Sequence, residues 1–247
     1  MVILIGAVTL LAVLASTLAG GAVPLRFESH ARIFLSFSAG TLVGLALLEL
    51  IPAALEESPG AAQGKLLVVL CAFLVTMLLD KLHVLHPHPH RMDADCPPEE
   101  HVHRPLAMHG AVGLLVHSAV DGLALATALR EAPHTAVAVA LALGAHKFAD
   151  GLTTVSLVLS HHHRRAQAVR LLAGNAGMLL VGFVLGIGLA LERAQLAGLL
   201  LIMAGFFLYL GASDLIPSVT VPVCRKRDVF ATACGMAAIA LVAMLAD

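Results

Sequence analysis

Apolar runs of membrane-spanning length follow one another along nearly the whole chain, at about 2–22, 31–55, 65–85, 106–130, 134–160, 166–190, 195–219 and 229–246. Inside a bilayer there is no water to pair with a backbone N–H or C=O. A lone segment can therefore cross only as a helix that bonds its own groups. Roughly 20 apolar residues cover the hydrocarbon, and each run is near or above that length. The expectation is an all-α membrane protein of eight transmembrane helices, one transmembrane domain over residues 1–247. Composition agrees, since 13% of the residues are charged, against about 25% in soluble domains. The first run has no basic start and no obvious small-residue cleavage site, so it reads as a retained helix and not as a signal peptide.

With eight helices the loops fall into two sets. One holds Arg26, Arg32, Lys81, Arg91, Arg104, Arg164, Arg165, Arg170, Arg225, Lys226 and Arg227; the other holds Lys65, Arg130 and Arg193. The positive-inside rule makes the first set cytoplasmic and places both termini outside. The Ala/Leu-rich, loop-poor chain points to a cell membrane of the bacterial inner type. The basic residues are scattered over short loops, which gives no footprint for nucleic acid.

Two of the apolar runs repeat a polar pattern, HSAVDGL at 117–123 and HKFADGL at 146–152. On a helix, residues four apart lie one above the other, so His117 and Asp121 share a face, as do His146 and Asp150. A lone His or Asp in a membrane helix need only hydrogen-bond a neighbouring helix. A carboxylate near mid-bilayer costs about 2.5–3.5 kcal/mol even on lenient scales. Two of them, with two imidazoles and Lys147, are more than helix pairing needs. Facing each other, the two stripes present nitrogen and oxygen donors suited to a divalent transition metal. Lys147 precedes Asp150 by three residues, so its ammonium is expected to reach Asp150 or the facing Asp121.

The second and seventh runs share a further pattern. Ala39-Gly40 precedes Glu49-Leu50-Ile51-Pro52, and Ala204-Gly205 precedes Asp214-Leu215-Ile216-Pro217 at the same spacing. The two helices would cross in opposite directions. The expectation is an inverted repeat, helices 1–3 and 6–8, around a central pair of helices 4 and 5, an arrangement typical of transporters. Each Pro would kink or end its helix beside an acid, which places Glu49 and Asp214 on an ion pathway.

A polar loop at about 86–105, cytoplasmic in this topology, carries His86, His88, His90, His101 and His103. Its His-Pro alternation prevents regular helix and leaves imidazoles free to collect metal, although the fixed spacing of a structural zinc site is missing. A second tract of histidines lies at 161–163. The four cysteines, Cys71, Cys96, Cys224 and Cys234, show no pairing pattern, and no structural disulfide is expected.

These features together resemble the ZIP (ZRT/IRT-like protein) family of divalent-metal transporters. The likeness rests on the helix count, the His-rich loop after helix three, HSAVDG, HKFADG and the acid-Leu-Ile-Pro endings. It implies zinc or a related ion moving toward the cytoplasm, with His117, Asp121, His146 and Asp150 as ligands. Many relatives place Asn after the helix-four His and Glu where Asp121 and Asp150 stand. Ser118 and Lys147 occupy places that ligate a second ion in two-metal members, and the usual His and Glu of the helix-two ending are Glu49 and Ala53. The function expected is therefore transport of Zn2+, with Fe2+, Mn2+ and Cd2+ as competing ions. The ion is cargo and no catalytic cofactor is implied. The partners expected are divalent metal ions and the bilayer, with a homodimer admissible and no nucleic acid. No phosphate-binding loop points to ATP-driven pumping. The rival expectation is an intramembrane zinc-dependent hydrolase, in which two His and a carboxylate would activate water.

Overall fold

The computed structural model describes residues 2–57, 60–84, 104–131, 136–160, 165–189, 191–221 and 225–246. Among these there is no strand. The helices are α1 (Val2–Arg26), α2 (Ala31–Leu45), α3 (Ile51–Glu57), α4 (Ala62–Val84), α5 (Arg104–Glu131), α6 (Ala136–Ser160), α7 (Arg165–Leu189), α8 (Arg193–Leu208), α9 (Ile216–Thr220) and α10 (Lys226–Ala246). A wide π-helical turn, Ala46–Leu50, joins α2 to α3, and a second, Tyr209–Leu215, joins α8 to α9.

Seven spans among the described residues are long and apolar enough to cross a membrane, and the chain is an integral, all-α membrane protein. They are Ile5–Arg26, Glu28–Glu57, Ala62–Leu82, Gly110–Arg130, Arg165–Leu189, Arg193–Thr220 and Lys226–Leu245, fewer than the eight expected from the apolar runs. The long helix outside that set is α6, 25 residues in length, which carries His146, Lys147 and Asp150 along its middle. The loop histidines His86, His88, His90, His101 and His103 lie outside the described residues, as do the tract at 161–163, Cys96 and Cys224. Cys71 and Cys234 are free thiols within α4 and α10.

The wide turns fall just ahead of Pro52 and Pro217. In a regular α-helix a proline ring collides with the carbonyl four residues back. Here the amide of Ile51 reaches Ala46 O, and that of Ile216 reaches Gly211 O, five residues back in each case. The extra residue loosens the turn and lets the helix run on past the proline.

Packing divides the helices into two groups. α1 lies along α6 and α5 along α7, while α2 lies along α10 and α4 along α8; α2 against α6 is the main contact between the groups. Glycines set the crossings. A Cβ on Gly20 would meet Phe148 O at 1.9 Å, and one on Gly151 would meet Thr17 O at 2.0 Å, so α1 and α6 touch backbone to backbone. Gly122 and Gly182 do the same for α5 and α7, and Gly40 and Gly235 for α2 and α10. Small residues of this kind let membrane helices approach closely enough for dispersion and weak backbone contacts to hold them. The glycine of each DG motif is thus the crossing point that pins its helix to an outer neighbour, while the preceding aspartate turns inward. Leu42, Leu114, Leu157, Phe207 and Leu210 fill the space between the groups.

Candidate metal centre

α5 and α6 bring their stripes together as the four-residue spacing requires. Donor atoms of His117, Asp121, His146 and Asp150 all lie within 4.8 Å of one another, and all four residues are buried. His117 Nε2 stands 3.0 Å from Asp121 Oδ2 and 3.3 Å from Asp150 Oδ2. His146 Nε2 stands 3.6 Å from Asp121 Oδ2. Yet neither Nε2 makes an aligned hydrogen bond. A buried polar atom left without one costs about 1–3 kcal/mol, and such groups point to an ion or a working role. Two imidazole nitrogens and two carboxylates converging in this way form a donor set that could hold a divalent metal.

The imidazoles are steered from outside the pair. Glu49, carried inward by the wide turn Ala46–Leu50, places Oε1 2.7 Å from His146 Nδ1. An ionised carboxylate only accepts, so Nδ1 donates to Glu49 and Nε2 is the nitrogen that faces the cluster. Phe207 of α8 packs edge-on against the His117 ring at 4.5 Å between centroids, and the two imidazole rings are 5.9 Å apart.

Lys147 is fully buried and lies within the same cluster. Its Nζ donates to Asp150 Oδ2 at 2.7 Å, to Asp121 Oδ2 at 3.0 Å and to Ser118 Oγ at 2.7 Å. Ser118 donates in turn to Asn175 Oδ1 of α7, and Asn175 Nδ2 donates to Thr154 Oγ1 at 3.0 Å. Sequence reasoning places Ser118 and Lys147 here but misses Asn175 and Thr154. A signal was available, because Asn175 is the chain's one asparagine and lies within a 25-residue apolar helix.

Asp214 is not part of this cluster. It lines a separate cavity of about 210 Å³ with Asp80, Thr76, Tyr209, Gly110 and Gly113. Tyr209 donates to Asp80 Oδ2 at 2.7 Å, and Asp214 is 8% exposed. Among the described residues, then, the expected site residues fall into two places: Glu49, His117, Ser118, Asp121, His146, Lys147 and Asp150 together, and Asp214 apart.

Comparison with known proteins bears on what such a cluster serves. The profile of a family described as ZIP Zinc transporter matches residues 87–243, more than half of the chain and the part that holds α5 through most of α10. No curated protein matches the sequence.

Proposed function

The chain belongs to the ZIP zinc transporter family, and from that membership we propose that it moves Zn2+ toward the cytoplasm through the cluster between α5 and α6. His117, Asp121, His146 and Asp150 bind the ion in transit. The observation that carries this is the convergence of their donor atoms within 4.8 Å in a buried place, with the Nε2 atoms of both imidazoles lacking hydrogen bonds. Nitrogen and carboxylate donors accept zinc and also Fe2+, Mn2+ and Cd2+, which compete for the same place.

The route follows from the two acids beside the wide turns. Glu49 is 24% exposed at its side chain, touches His146 and receives the ion from outside. Asp214 and Asp80, facing the cavity they line with Tyr209, take it on toward the cytoplasmic loops. The sidedness is that of the Lys/Arg distribution, with both termini outside.

Eight crossings, with α6 and its buried His146, Lys147 and Asp150 as one of them, complete the arrangement. An inverted repeat accounts for the helix pairing: α1 on α6 mirrors α7 on α5, and α2 on α10 mirrors α8 on α4. The wide turns and the Ile-Pro steps fall at matching places after α2 and after α8. Family members are transporters and not enzymes, which favours transport over a hydrolase. Uptake of labelled zinc into sealed vesicles containing the purified protein, with Fe2+, Mn2+ and Cd2+ as competitors, tests the proposal. Zinc accumulation no faster than in protein-free vesicles would overturn it.

A further inference from the structure

Lys147 is fully buried against the two carboxylates of the donor set, and its position is fixed by a directed chain of hydrogen bonds. An ammonium has three protons and no lone pair. All three are used here, on Asp150 Oδ2, Asp121 Oδ2 and Ser118 Oγ. A serine hydroxyl has one proton to give, and Ser118 gives it to Asn175 Oδ1, which leaves its lone pairs for the ammonium. Asn175 Nδ2 donates to Thr154 Oγ1, and Thr154 spends its proton on the backbone oxygen of Asp150 at 2.8 Å. The relay runs through neutral groups only. It ends on the helix turn that carries Asp150, so ammonium and carboxylate are held by one structure.

We propose that Lys147 is a tethered cation filling a second cation position beside the transported ion, so the cluster holds one divalent ion at a time. This rests on the reading of the cluster as the transport site. Charge decides the number. Glu49, Asp121 and Asp150 bring three negative charges, Lys147 one positive and a single divalent ion two, which leaves the cluster neutral. A second divalent ion would leave two positive charges uncompensated in a region where unpaired charge is strongly penalised. Space points the same way, because the two Oδ2 atoms that a second ion would share are those on which the ammonium sits. Ser118, Asn175 and Thr154 are therefore positioning residues. They hold the ammonium to one side of the carboxylates and leave the imidazole side for the ion. The like charge beside the ion also loosens its binding, which favours passage over retention.

The test counts ions. Cd2+ is titrated into the full chain in lipid nanodiscs, for the wild type and for His117→Ala, and the difference in ions bound removes the contribution of the loop histidines. The expected difference is one. A difference of two overturns the tethered cation while leaving the transport site in place, whereas a difference of zero overturns the site and this inference with it. Lys147→Asp, referred to its own His117→Ala partner, is expected to bind two ions. Lys147→Met guards against a Lys147→Asp chain that fails to fold, and it is expected to bind Cd2+ at least tenfold more tightly. Affinity equal to or weaker than wild type in a folded Lys147→Met chain would overturn the assignment.

Discussion

Glu49 and His146 are 97 positions apart in sequence and 2.7 Å apart in space, and removing the carboxylate gives a sharp test of how the centre is organised. In Glu49→Ala the imidazole loses the acceptor that holds its proton on Nδ1 and fixes its ring. Either nitrogen can then carry the proton, and the ring can turn away from the cluster. Losing a hydrogen-bond partner of a ligating histidine typically costs about 10–100-fold in metal affinity, or about 1.4–2.7 kcal/mol. Glu49 is 24% exposed whereas His146 is 4% exposed at the side chain, so part of the lost interaction is replaced by water. The expected loss is therefore near the lower end, about tenfold. Glu49→Gln keeps an acceptor oxygen and should lose less, about threefold, a fraction of the range for complete removal. Cd2+ titration of both variants, with zinc flux measured across a concentration series, reads the effect. The wild-type KM should rise in Glu49→Ala with little change in melting temperature. Unaltered Cd2+ affinity in a folded Glu49→Ala chain would refute the claim that this carboxylate orients a ligand.

Other expectations follow from the same geometry. His117→Ala or Asp150→Ala should abolish zinc flux while the protein still inserts and purifies as wild type, and near wild-type flux in both would remove them from the path. Gly151→Leu should lower the melting temperature in nanodiscs, because its Cβ would meet Thr17 O at 2.0 Å; overpacking of this kind costs about 1–3 kcal/mol or more. Gly144→Ala on the same helix, with nothing within 4 Å of the added carbon, serves as the neutral control. Deleting residues 93–103 should reduce metal capture on the cytoplasmic side and spare basal flux, so complete loss of flux in a folded deletion would place that loop in the pathway itself.

Much of the site was legible because helix geometry is local. The spacing of His117 to Asp121 and of His146 to Asp150 determines which groups share a face, and Lys147 lies within reach of Asp150 whatever the rest of the chain does. The grip of Glu49 on His146 was not legible, since it depends on how α2 crosses α6. The wide turn that aims Glu49 inward shifts its helical phase away from the regular periodicity. Asp214 illustrates the same limit from the other side. Its motif matches that of Glu49, yet it lies in a different cavity because α8 packs on α4 and not on α6. The glycines of the DG motifs could be read only as small residues, and their function as crossing points appears once α1 and α7 are in place.

The wide turns Ala46–Leu50 and Tyr209–Leu215 also determine what a change of length would do. Most single-residue deletions in a buried helix rotate everything beyond them by about 100° and strand one face in the wrong surroundings. A π turn already holds one residue more than a regular turn needs, so losing one there relaxes the backbone to α-helix and can leave the flanking segments packed as before. What moves is the residue inside the turn. Shortening the chain by one at Leu47 would leave a helix able to insert and pack, with its acid swung off His146. At these two places, where the acid points depends on a count of residues as much as on their chemistry.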